Sequence, residues 1–202
     1  MSTHDADQPG LRERKKARTR ASIREHALRL FREQGYTATR VEQIAEAAEV
    51  SPATFYRYFP TKEDVVLQDD LDVLTMDALE AQPPGLSPLA AVRGAVAAAR
   101  AGFTEEERER FRQTTEMTLA VPEIRARALD EFARTIDVTA AALARRSGRA
   151  AGDPAARALA GAIFGVILAT TLPVLERGET DLDTIFASVD DGLARMEAGF
   201  PL

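Results

Sequence analysis

"VSPATFYRYFPTKEDV", residues 50–65, sets four aromatic residues into the five positions 55–59, places Ser51-Pro52 ahead of them and follows them with Lys62. Ser51 is an N-cap residue type, and Pro52 takes the first helical position, where its missing N–H costs nothing. The stretch therefore predicts a helix over 52–59, only about two turns long. Phe55 and Phe59, four apart, share one face and supply a core. Ala53, Thr54 and Arg57 fall on the outward side, where small residues permit close approach to a partner surface. Tyr56 and Tyr58 flank that side; their hydroxyls can donate to phosphate oxygens while the rings pack below. Lys62, at the start of the next helix, can reach the same backbone. An element this short, anchored in a core and edged with donors, predicts contact with nucleic acid.

The upstream residues agree. Thr39 and Glu42 have capping-box spacing for a helix over 40–48, with Val41, Ile44, Ala45 and Ala48 on its inner side. Glu49-Val50-Ser51 then joins two short helices, the spacing of a helix-turn-helix whose second member enters the major groove N-terminus first. Before them, Ile23, Ala27, Leu30 and Phe31 recur at helical spacing over 16–34, and Gly35 closes that helix.

Charge is distributed to match. The net charge is −6, yet residues 1–65 carry 12 Lys and Arg against 10 Asp and Glu, and residues 11–40 carry ten against three. A basic first segment on an acidic body is the pattern of a nucleic-acid-binding end joined to a different end. The 202 residues contain no cysteine, which removes disulfides, thiolate nucleophiles and cysteine-based metal sites. The polar, then basic N-terminus lacks the apolar segment of a secretory signal, so a cytoplasmic location is expected. Residues 158–175 carry no charge and approach the length of a membrane-spanning helix. Glycines, threonines and Pro173 dilute that stretch, and burial in a bundle or a subunit interface, with no membrane, is the expectation.

Downstream punctuation is equally legible. Thr61 caps a fourth helix over 62–80; Ser87-Pro88 opens one closed by Gly102; Thr104 with Glu107 opens the next. Pro122 opens a helix reaching Arg145-Arg146, Asp153-Pro154 opens the apolar one, and a last helix covers about 181–199. No period-two run calls for a strand. The prediction is an all-α protein of about nine helices. It comprises a disordered basic arm (1–15), a helix-turn-helix head (16–61), a connecting helix (62–80) and a larger helical body (81–202).

The run "GYTATRVEQIAEAAEVSPATFYRYFPTKEDVV" resembles the DNA-binding head of the TetR family of bacterial repressors, without a gap over residues 20–67. The resemblance implies that Thr39, Tyr56, Tyr58 and Lys62 hold phosphates. It puts Pro52, Ala53, Thr54 and Arg57 at base edges and points Glu42 and Gln43 toward the groove. Arg40 and Ser51 complete the expected DNA-binding set. Glu49 stands where the family usually has glycine, so it must tolerate a left-handed backbone or reshape the turn. The cations of 12–20 can enter a minor groove, order on phosphates or remain solvated.

Family members are homodimers whose last two helices pair across a two-fold axis, which implies an interface at Gly161, Gly165 and Ala169 and at Phe186, Val189 and Leu193. An intrachain core accounts for the same residues. The family's bodies bind a small inducer in an apolar pocket, for which Phe103, Phe111, Met117, Phe132 and Phe164 are candidates, with Thr114 or Glu116 as polar contacts. The stretch from Glu123 to Gly165 resembles members with an acyl-CoA-like ligand domain; a buried Glu116 or Asp137 would instead favour a lipophilic cation. The two histidines, His4 and His26, cannot assemble a triad or metal cluster in the body, so no catalytic residue, metal or cofactor is assigned. A double-stranded operator, a small hydrophobic effector and a second copy are the expected partners. The rival is a helical interaction or small-molecule-binding module without sequence-specific DNA binding.

Overall fold

The computed structural model describes residues 10–68 and 71–201, apart from the side chains of Glu13 and residues 71–74. These residues form ten helices and no strand: α1 (Leu11–Gln34), α2 (Val41–Ala47), α3 (Pro52–Tyr58), α4 (Asp64–Leu67), α5 (Leu71–Glu80), α6 (Pro88–Gly102), α7 (Glu105–Ala120), α8 (Pro122–Arg146), α9 (Pro154–Glu176) and α10 (Leu182–Glu197). They divide into two compact units, one up to Val66 and one from Leu67.

In the first unit, Ile23, Ala27, Leu28 and Phe31 of α1, Ile44 and Ala45 of α2, and Phe55 and Phe59 around α3 are sealed from solvent. Leu28 takes the buried place expected of Leu30, which is half-buried. The first helix also begins earlier than expected. Residues 11–15 belong to α1 rather than to an arm, while 1–9, including His4, lie outside the described residues. Between α2 and α3, Glu49 adopts φ 53°. The Val50 N–H then bonds the Ala45 carbonyl at 2.9 Å, closing α2 in the glycine-type manner without the glycine. A left-handed non-glycine residue costs roughly 1–2 kcal/mol, so the turn is kept at some expense of stability.

The cap of α2 differs from expectation. Arg40 is the N-cap, and its N–H donates to Gln43 Oε1 at 2.9 Å. Thr39 cannot serve because its hydroxyl donates to the Gly35 carbonyl at 2.8 Å and accepts from Gln34 Nε2 at 3.0 Å, and Glu42 is left exposed. At α4, Thr61 N–H bonds Asp64 Oδ2 at 2.9 Å and Asp64 N–H bonds Thr61 Oγ1 at 3.3 Å, a reciprocal cap. That helix ends at Leu67, so the single helix expected over 62–80 is two elements and the described total is ten. Gln68, after α4, is not helical.

In the second unit the caps fall where the sequence places them. Ser87, Thr104, Asp153 and Asp181 accept from the backbone N–H groups three residues on, and Pro88, Pro122 and Pro154 occupy first turns. Leu79, Ala91, Ala95, Leu143, Ala160 and Leu193 belong to one contiguous core. The close approach between α9 and α10 occurs at Gly192. A Cβ there would stand 2.6 Å from Thr170 Cγ2 and 2.8 Å from Val166 Cγ1. Ser188 Oγ donates to the Thr170 carbonyl at 2.7 Å beside it.

Candidate nucleic-acid interface and body cavity

Helix α3 is held from below and free above. Phe55 and Phe59, 5.9 Å apart, are fully buried, and the Arg20 guanidinium lies 4.9 Å over the Phe59 ring. Ser51 Oγ accepts from the Thr54 N–H at 3.1 Å and shares a hydrogen bond with Thr54 Oγ1, which orients the first turn. On the outer side Ser51, Pro52, Ala53, Tyr56 and Arg57 are exposed, Tyr56 by 51%, and Thr54 and Tyr58 are half-exposed. Arg57 stacks over the Tyr58 ring at 5.4 Å. Arg40 is exposed at the start of α2, and its guanidinium has no hydrogen bond or ion pair among the described residues.

A cleft of about 800 Å³ runs between α1 and α3, with Arg12, Lys15 and Lys16 on one wall and Thr54, Arg57 and Tyr58 on the other. The sequence reading left these α1 cations unplaced. Their 12, 15, 16 spacing puts them on one helical face with Thr19, which is the signal that could have found them. Being helical, they present their side chains from a rigid element rather than from an extended arm.

Three expected phosphate or groove contacts are engaged inside the protein. Thr39 is 1% exposed, with its hydroxyl committed as described above, so it has no surface for a phosphate. Gln43 Oε1 is spent on the Arg40 N–H and Gln34. Lys62 Nζ donates to the Tyr36 carbonyl at 2.8 Å and the Thr39 carbonyl at 3.0 Å and sits 3.9 Å over the Tyr36 ring. Lys62 thus ties the α1–α2 turn to the start of α4. Beside it the Tyr36 hydroxyl donates to Glu63. Burial alone would raise the Glu63 carboxyl, but hydrogen bonds from Tyr36, the backbone and Thr61, with the Lys62 charge, hold it below its ordinary value. That contribution is present above the ordinary carboxylate range and is lost as pH falls through the lowered value.

The lysine geometry yields an expected result. Lys62→Met should lower head stability by about 1.5–3 kcal/mol, the scale of lost charge-assisted hydrogen bonds, and leave the salt dependence of DNA binding unchanged. A salt slope reduced by about one would return Lys62 to the phosphate contacts.

In the second unit a cavity of about 300 Å³ lies among α5–α10. Phe111 and Phe164 line it as expected, joined by Phe186, whose ring packs edge-on against Phe111 at 6.3 Å. Phe103 stands behind that pair, 6.4 Å from Phe111, and Phe132 packs on Phe164 at 4.9 Å. Neither they nor Met117 reach the lining. Thr114 is buried with its hydroxyl on the Arg110 and Phe111 carbonyls, and Thr115, one turn from Phe111, faces the cavity instead. Glu116 points outward to Arg112 at 2.6 Å, and Asp137 pairs with Arg157, so neither is the buried carboxylate a lipophilic cation would need. Thr75 and Met76 on α5 were missed, the helix register there having no strong stripe.

The proposed interface residues separate into two groups. Phe186, Val189 and Leu193 are buried by their own chain, which corrects their assignment to a partner-facing stripe: α10 turns its apolar side into its own core. Gly165 and Ala169 are exposed and Gly161 is half-buried, and a Cβ at either glycine meets nothing within 4 Å. With Ala155, Ala158, Ala162 and Leu172 they leave α9 an uncharged outer face. By length and composition α9 could cross a membrane, with a mean hydropathy of 2.2, and only 22% of that window is buried in its own chain.

Residues 23–68 match the family described as bacterial regulatory proteins, tetR family, and residues 86–201 match the MftR C-terminal domain. The regulator TcmR of Streptomyces glaucescens is 52% identical over 89 residues, which is 43% of this chain and 39% of TcmR. The chain thus covers well under half of that relative's length. The putative mycofactocin biosynthesis regulator MftR of Mycobacterium tuberculosis is 29% identical over 158 residues, 77% of this chain and 79% of MftR. In fold, the chain resembles FadR of Thermus thermophilus, a repressor solved with lauroyl-CoA. The TM-score is 0.54, with 24% identity over 91% of this chain and 95% of that one.

Proposed function

The chain belongs to the TetR family of DNA-binding transcriptional regulators, and from that premise we propose a homodimeric cytoplasmic repressor released from its operator by a small apolar ligand. The observation that carries the reading is the sealed Phe55–Phe59 base beneath an open α3 face, with the α1 cations across the cleft. A dimer would place two such helices about 34–36 Å apart and read a near-palindromic site. The uncharged outer face of α9 supports a second copy as the group that covers it, since contiguous exposed apolar surface marks an interaction site. The body cavity, and a fold neighbour carrying lauroyl-CoA, support the ligand. α5 follows the head in sequence and contributes Thr75 and Met76 to the cavity, so a ligand there would act on that helix first. A hundredfold loss of operator affinity requires about 2.7 kcal/mol of coupling, ordinary for allostery.

Selection of binding sites from random DNA with the purified protein tests the reading and should return an inverted repeat. Arg57→Ala should relax the preference at particular positions of each half-site, by about 1–3 kcal/mol per lost base contact, with little change in non-specific affinity. An unaltered preference would place Arg57 among the phosphate contacts. Recovery of no common sequence by the wild type would instead support a helical module without sequence-specific binding.

A further inference from the structure

We infer that the body cavity takes an uncharged, largely apolar molecule bearing hydroxyl or carbonyl oxygens, and excludes ionised groups of either sign. The inference rests on the ligand-release reading above. Its basis is the chemistry of the wall. The described lining holds no Asp, Glu, Lys, Arg or His; the polar groups are four threonines, at 75, 115, 135 and 171. The nearby charges are turned away and paired: Glu116 with Arg112, Asp137 with Arg157. An ionised group drawn among these residues would lose hydration with no counter-charge to replace it, a penalty that a neutral molecule avoids.

The four hydroxyls are not equivalent. Thr135 donates to the Glu131 carbonyl at 3.1 Å and Thr171 to the Ile167 carbonyl at 2.7 Å, so their protons are spent and their lone pairs remain. Those two can accept from a ligand hydroxyl. The Thr75 and Thr115 hydroxyls make no hydrogen bond among the described residues, so they can also donate, for example to a carbonyl. Phe111, Phe164 and Phe186 supply ring surfaces and Met76 an adaptable one. At about 300 Å³ the cavity is at the lower end for small-molecule sites, too small for the nucleotide head of an acyl-CoA.

The test uses three matched probes at pH 7: 2-naphthalenemethanol, 2-naphthoate and 2-naphthylmethylammonium, with dodecanoyl-CoA alongside, measured by calorimetry on the full chain without DNA. The alcohol should bind at least about tenfold more tightly than either ion. Thr115→Val, nearly isosteric, should weaken the alcohol about fivefold and leave naphthalene itself unchanged. Should that variant misfold, Thr75→Val carries the same expectation. An ion binding as well as the alcohol overturns the inference, as does no binding of the alcohol at millimolar concentration, or indifference of both valine variants. Operator release separates this from the wider reading. If the alcohol binds as expected but the DNA complex persists at saturation, ligand release fails and the ligand class stands. If dodecanoyl-CoA releases the operator while the alcohol does not bind, the ligand class fails and ligand release stands.

Discussion

Phe59→Ala should abolish DNA binding while leaving the second unit folded. Phe59 is fully buried, packed on Phe55 and covered by the Arg20 guanidinium. Truncating such a ring costs about 3–5 kcal/mol, and a unit of this size holds only about 3–5 kcal/mol in total. The substitution therefore removes roughly all of the head's stability. The second unit has a separate core of Leu79, Ala91, Ala95, Leu143 and Leu193, which the change does not touch. Hydrogen exchange should show protection lost over 23–31 and retained in α8–α10, with probe binding in the body cavity unaffected. Retained protection in α1 would mean that the head draws stability from elsewhere.

The legibility of the sequence follows from how local each determinant is. Caps are set within four residues, so Ser87, Thr104, Pro122 and Asp153 announced their helices to within a residue or two. The cap of α2 misled because Thr39 had a competing acceptor, the Gly35 carbonyl at the end of α1, which spacing alone does not reveal. Lys62 illustrates the same point across 26 positions: a lysine beside a predicted DNA-binding helix looks like a phosphate ligand until the Tyr36 carbonyl is found against it. In the cavity, which aromatics line the space and which stand behind depends on the packing of six helices, so Phe111 was identified while Thr75 was not. Glu49 is the reverse case. Its left-handed φ was expected as one of two outcomes from the sequence, and the structure takes that one.

Gly165→Arg should convert the proposed dimer to monomer without harming the fold of the single chain. The position is exposed on α9, and a Cβ there meets nothing within 4 Å, so a side chain has room in the isolated subunit. Glycine in a helix interior is also about 1 kcal/mol less favourable than alanine, so local helix stability should rise. Against a second copy the same arginine would place an unpaired charge inside an apolar contact, a loss of several kcal/mol at each of two symmetric positions. The two effects have opposite signs, and that contrast separates an interface from an ordinary core position. Sedimentation at micromolar concentration should show monomer with wild-type helicity. Affinity for an inverted-repeat operator should fall by about 10²–10⁴, the avidity of two linked half-site contacts, while weak binding to a single half-site survives. A variant that still sediments as a dimer would remove this face from the interface and leave the apolar outer side of α9 to a different partner.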